Sequence, residues 1–446
     1  MTDARTSRRQ GARGRAAAAT ALAWTVALIG AGPIAAQQAP APAAPAAYAI
    51  RNATIVPVTG PRIAGGTIVL RGGRIEALGA QVAVPADAQV VDGTGLFVYP
   101  GLVDAGTTLG LEEIGSVPGG NDTQELGDFN PHDDALTAVN PSSEIIPTVR
   151  ISGVTTALTA ARGGMISGQA AFIDLAGWTP QEMAVVPRAG MVVTFPRVTA
   201  RRGGRRGGTD QPDQVDQQTR ALRNYFADAK AYADIKARLA AGQAGTQQIN
   251  LAMEAMVPVV RGESPVIVDA ETADQIRGTL ALADSFHLKV ILRGAPQAWR
   301  MADTLAARHI PVIVGPITAA PRDEDPYDAI YANPGVLAHA GVQIAFQTAT
   351  ASDARNIAYN AALATAYGLD PEEALRALTI NPARIFGVAD RYGSLEAGKV
   401  ADVIVTNGDP LDARTDIRYV FIRGQLVPRT DRNTRLYDQF RARPHQ

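Results

Sequence analysis

Beyond its first 47 residues, the chain starts and finishes on segments of one kind, and this constrains the fold more than any other feature. Residues 48–98 contain YAIRNATIVPV, GGTIVLRGGRIEALG and AQVVDGTGLFV. These runs alternate or are β-branched, with Gly and Asp between them, and read as short strands joined by turns. Residues 401–427 have the same character in ADVIVTNG and IRYVFIRGQLV. The two segments are expected to pair into one small β-sandwich, so the intervening 300 residues must bring the chain back to where it began.

Those residues alternate between strand and helix signals. VTTALTA, AAFIDLAG, MAVVP and GMVVTFP are short apolar runs, and 214–241 is strongly helical. ESPVIVDAE, HLKVILRG, IPVIVGP and VQIAFQT then read as strands, separated by helices over 272–285, PQAWRMADTLAARH and DAIYANPGVLAHAG, the last broken at Pro334. Helices follow over 353–367 and 371–378, the second started by Pro371 after Asp370. Repeated βα units over such a length fit an eightfold barrel better than an open sheet. The fold class is therefore α/β: a TIM-like (β/α)8 barrel plus a small β-sandwich formed from the N- and C-terminal segments. The expected organisation assigns 48–98 and 397–430 to the two parts of the sandwich, 99–396 to the barrel and 431–446 to a C-terminal tail.

The first 47 residues point to export. Five arginines between positions 5 and 15 precede an uncharged apolar run at 16–32 and then PIAAQQ, the order of a secretory signal peptide. Residues 1–36 are expected to be the signal peptide and 37–47 a Pro/Ala linker, with a periplasmic or extracellular mature chain. A membrane anchor is the alternative, although the run is short for a full span, and no stable span is expected once a signal is cleaved. A net charge of −1 argues against a nucleic-acid partner. The lack of cysteine excludes disulfides, thiolate nucleophiles and sulfur-ligated metal. RRGGRRGG at 201–208 reads as a solvated loop or an anion grip.

Three motifs carry a family resemblance. VDGTGLFVYPGLVDA opens the barrel region at 91–105, TINPA stands at 379–383, and GSLEAGKVAD at 393–402. With the GLDPEEALRAL and VFIRGQLV around them, they resemble the amidohydrolase superfamily, nearest to its imidazolonepropionase-like exported members. The resemblance implies that TxNPA closes the barrel and that the Gly-Lys motif returns the chain to the sandwich. It implies hydrolysis of carbon–nitrogen amide bonds with zinc or another divalent metal. The metal's ligands would be an HxH pair after the first strand, a lysine or glutamate from the fourth, and histidines ending the fifth and sixth. An aspartate ending the eighth strand would take the proton of the metal-bound water.

Carried onto this chain, that set is substituted. The HxH positions are Gly106 and Thr108, the fifth strand offers Asp269 and Glu271, and the sixth offers Arg293. The eighth has Ala349 at the aspartate's position, beside Thr348, with Asp353 as the nearest acidic substitute. No lysine lies between Leu109 and Ala229. Of five histidines, His287 and His309 precede strands and His339 ends a helix, so these belong to the bottom of the barrel. His445 is in the tail, and only His132, in the loop after the first strand, is on the side where barrel active sites lie.

Asp104, Thr108, Asp269, Glu271, Arg293, Thr348 and Asp353 are therefore the candidate pocket residues. Asp104, Asp269, Glu271 and Arg293 are expected to converge, with Arg293 paired to Asp269 or Glu271 in place of a cation. No metal or other cofactor is expected. The predicted function is a degenerate, non-catalytic homologue that binds a small molecule or pairs with a related amidohydrolase subunit, with a homo-oligomer also open. The alternative is an active C–N hydrolase with a shifted, oxygen-ligated metal site.

Overall fold

A computed structural model describes residues 47–196, 211–320 and 324–443, all within one compact unit, Ala44–Gln446. The predicted signal peptide, nearly all of the linker, the 201–208 segment and His445 lie outside the described residues.

Both chain ends enter one sheet. Its N-terminal strands are β1 (Ala47–Ile55), β2 (Ile63–Arg71), β3 (Arg74–Gly79), β4 (Ala88–Asp92) and β5 (Phe97–Pro100). The barrel strands are β6 (Leu102–Thr107), β7 (Val154–Thr159), β8 (Ile166–Asp174), β9 (Ala184–Thr194), β10 (Val266–Asp269), β11 (Val290–Gly294), β12 (Val312–Val314) and β13 (Ile344–Phe346). The chain then returns through β14 (Val403–Thr406), β15 (Ile417–Ile422) and β16 (Gln425–Leu426).

The terminal sheet runs β16-β15-β14-β5-β1-β2-β3, with β4 also on β1, so β1 shares one edge between β4 and β5. It folds over its own core: Tyr48 of β1 meets Phe421 of β15 at 5.0 Å between ring centroids, although two strands separate them in the sheet. Ile50, Ile55, Ile68, Leu70, Val403 and Val405 fill the space between.

The second sheet is the nearly closed barrel, ordered β6 through β13. One strand departs from the expected regularity. β8 is antiparallel to both β7 and β9, and no helix separates β7 from β8. The reason is length: six residues connect β7 to β8 and nine connect β8 to β9, whereas a parallel crossover needs a dozen or more. MAVVP and GMVVTFP, read as two runs, form the single strand β9. The helix at Pro334 is not broken but runs through it, Ala329–His339. The 431–446 tail contains a helix, Arg432–Arg441.

Side chains of the barrel strands alternate between two cores, as a period of two requires. Val192, Ile267, Ile291, Ile313 and Ala345 point inward and pack together. Val193, Val268, Leu292, Val314 and Phe346 point outward to the helices.

Candidate ligand pocket at the barrel mouth

The same alternation positions the site. Two residues beyond the inward layer stand Thr194, Asp269, Arg293, Gly315 and Gln347, at or just past the C-terminal ends of β9 to β13. In-register parallel pairing sets Thr194 beside Asp269 and Asp269 beside Arg293. All five line a cavity of about 460 Å³. Pro316, Ile317, Ala319, Pro326, Ala329 and Ile330 supply its apolar wall.

Arg293 forks onto Asp269. Its Nε donates to Oδ1 at 2.6 Å and its Nη2 to Oδ2 at 2.7 Å. Only 8% of Arg293 is exposed. Burial works against the guanidinium's charge, but the adjacent carboxylate prevails and raises its pKa. A bidentate pair of this kind fixes both side chains in orientation.

Gln347 occupies the remaining centre. Its Nε2 donates to the Gly315 carbonyl at 2.8 Å, and a Cβ on Gly106 would lie 2.2 Å from its Oε1. Gly315 has φ of 104°, and a Cβ there would meet the Gln347 carbonyl oxygen at 2.6 Å. Glycine at both positions makes room for this side chain and its backbone.

Of the expected residues, Asp269, Glu271 and Arg293 line the cavity, whereas Asp104, Thr108, Thr348 and Asp353 do not. The expectation that Asp104 converges with them is corrected. Asp104 is fully buried and ties β6 to the end of β13, accepting from Gly106 N–H and Thr348 N–H at 3.1 Å each and from the Thr348 hydroxyl. Burial pushes its carboxyl up to about 7. Ala349 closes the same seam, its N–H donating to the Gly106 carbonyl at 2.8 Å. The Thr108 hydroxyl donates to Glu112 and accepts from Ala351 N–H. Asp353 is exposed and bonded to Thr350.

His132 lies away from the cavity, in a separate groove with Tyr232, its Nε2 3.8 Å from an Asp133 carboxylate oxygen. His287 and His309 take left-handed conformations just before β11 and β12, at the far end of the barrel, and His339 bonds its own helix at Gly335.

Sequence reasoning missed Gln347, Gln275, Asn333 and Asp325. Gln347 had a readable signal, because it continues the inward alternation of VQIAFQ. Asp325 comes from the distant segment before the Ala329–His339 helix. It is 4% exposed in its side chain and held by Gln297 Nε2 at 2.9 Å and Arg300 Nη2 at 2.6 Å.

The divalent metal implied by the resemblance does not fit these residues. Among the described residues, no three His, Asp or Glu side chains group to hold an ion. Asp269 is forked by a guanidinium, and Gln347 fills the space a side chain at position 106 would use.

Comparison with known proteins adds the lineage. Residues 270–427 match the amidohydrolase family model. The chain is 52% identical over 40 residues to an imidazolonepropionase of Erwinia tasmaniensis, covering 9% of this chain and 10% of that one. It is 34% identical over 127 residues to an imidazolonepropionase of Thermoplasma volcanium, covering 25% and 30%. The chain thus aligns with under a third of the length of these curated relatives. A crystal structure of an amidohydrolase from Thermotoga maritima superposes over 86% of this chain and all of its own, with a TM-score of 0.76 and 28% identity.

Proposed function

Because the chain belongs to the amidohydrolase superfamily, we propose that it uses the inherited barrel mouth to bind a small molecule, and that it does not hydrolyse that molecule by metal-activated water. The observation carrying this reading is the Asp269–Arg293 fork, which places a fixed cation on the carboxylate at the end of β10. The Gly106–Gln347 arrangement supports it, because Gln347 occupies the space that a side chain at position 106 would need. The cavity matches binding: concave, mostly apolar in its outer wall, with a few fixed polar groups at its base. The alternative of an oxygen-ligated metal loses support because Asp104 and Thr108 are engaged at the barrel seam. Pairing with a related subunit and export beyond the cytoplasm remain part of the proposal, to be read by co-purification and cell fractionation.

The test combines metal analysis of the purified chain with calorimetric titration and turnover assays on dipeptides and cyclic amides, with and without added zinc. The expected result is a bound ligand, no turnover and no zinc dependence, with binding weakened at least tenfold by Arg293→Met. Zinc-dependent hydrolysis of any member of the panel overturns the reading.

A further inference from the structure

The C-terminal helix Arg432–Arg441 is oriented inside out. It starts from a capping box: Thr434 N–H donates to Asp431 Oδ1 at 2.7 Å, and Asp431 N–H donates to the Thr434 hydroxyl at 2.8 Å. Asp431 is buried and also accepts from the Thr148 hydroxyl at 3.1 Å. Arg435 reaches Glu144 at 2.6 Å. These polar contacts attach the helix to the body, yet none of its own residues is buried.

Its apolar side chains face the other way. At about 100° per residue, Leu436, Tyr437 and Phe440 share an arc of about 100°, on the opposite side from Arg435. They are 37%, 64% and 52% exposed. Arg432 borders this arc on one edge and Arg441 on the other. The guanidinium of Arg441 lies 5.5 Å from the Tyr437 ring, and that of Arg443 4.2 Å from Phe440. Residues 429–443 contain five arginines against two aspartates, in a chain whose net charge is −1.

An aromatic and aliphatic face bordered by arginines suits the headgroup layer of an anionic bilayer. The rings enter the interface while the arginine stems lie along it and their guanidiniums meet phosphates. We propose that this helix docks the protein on an anionic phospholipid surface. The attachment is peripheral: among the described residues no helix is long and apolar enough to cross a membrane, and three apolar side chains supply only weak, salt-sensitive binding.

The experiment is hydrogen–deuterium exchange on the full chain, read in peptides covering 432–441, so that the helix reports for itself whatever the apolar 16–32 run does. Vesicles of equal phosphatidylglycerol and phosphatidylcholine are expected to slow exchange there severalfold. Phosphatidylcholine vesicles, or 0.5 M salt, should not. The double variant Tyr437→Ser/Phe440→Ser, at exposed positions and with unchanged melting temperature, should abolish the protection. Unchanged exchange with anionic vesicles overturns the proposal. So does protection that follows protein concentration without lipid, which would assign the face to a second copy of this chain.

Discussion

Gly106 and Gln347 claim the same space: a Cβ on residue 106 would stand 2.2 Å from Gln347 Oε1 and 3.1 Å from Gln347 Cβ. A side chain at 106 therefore displaces the Gln347 amide, whose Nε2 bonds Gly315. Gly106→Ala is expected to destabilise the fold by about 1 kcal/mol, the low end for overpacking, because the Gln347 amide borders the open cavity. Gln347→Ala in the same chain should recover much of that loss, because the two changes share one volume. Urea denaturation of both single variants and the double variant checks it; additive effects would show that the two residues do not compete.

The Arg293–Asp269 fork should respond to removal of one partner more than of both. Arg293→Met leaves Asp269 without its cation beside an apolar wall, at an expected loss of about 2 kcal/mol, reduced from the fully buried range because Asp269 is 34% exposed in its side chain. Arg293→Met/Asp269→Leu should be closer to wild type. Arg293→Lys should fall between, since an ammonium cannot fork. Thermal and chemical unfolding read all three.

Asp104 makes stability depend on pH. Its carboxyl is raised from 3.8 to about 7 by burial, so the folded state holds the proton more tightly than the unfolded chain does. The stabilisation is fully present below about pH 4 and is lost as pH rises to about 7. At about 1.4 kcal/mol per pH unit the upper limit is about 4 kcal/mol. Asp104→Asn keeps an oxygen for the Gly106 and Thr348 amides and should flatten this slope, making the variant more stable than wild type at pH 8. Denaturation midpoints from pH 4 to 8 decide; an unchanged slope refutes it.

At the other end of the barrel, Asp174 and Asp402 are buried together, bridged by the Thr156 hydroxyl at 3.5 and 3.3 Å. Arg423 donates to Asp174 at 2.6 Å, and Tyr392 donates to it at 3.0 Å. Burial raises both carboxyls, and for Asp402 the neighbouring Asp174 charge adds to it. One cation faces two acids, so the pair holds a proton to higher pH than separate solvated carboxylates would. Asp402→Asn should be tolerated or stabilising at pH 8, whereas Arg423→Ala should be destabilising by about 2 kcal/mol. The reverse order in an unfolding series would show that crowding of the two acids does not govern this cluster.

Much of the architecture was legible because it rests on local pattern. The strands ending VIVDAET and VILRG gave Asp269 and Arg293 their places at adjacent strand ends, and the motifs at 379–383 and 393–402 gave the return to the terminal sheet. The inversion of β8 is not written in AAFIDLAG, which reads as a strand without a direction, although the six residues before Ile166 already forbid a parallel crossover. Asp104 was misplaced because strand alternation says which face a residue takes, not that the first and last strands meet there and enclose its carboxyl. Gln347 was passed over because it carries no charge. Asp325 was passed over because sequence spacing does not say that the start of the segment leading into the Ala329–His339 helix lines the cavity.

The terminal sheet joins β5 to β14, about 300 residues apart in the chain. During synthesis the early strands therefore wait, with the β5 edge uncovered, until nearly the whole polypeptide has been made. An open strand edge invites wrong pairing between nascent molecules. Loss of everything from Val403 onward would leave that edge open for good, so a stop codon placed after the whole barrel has been made still breaks the terminal sheet.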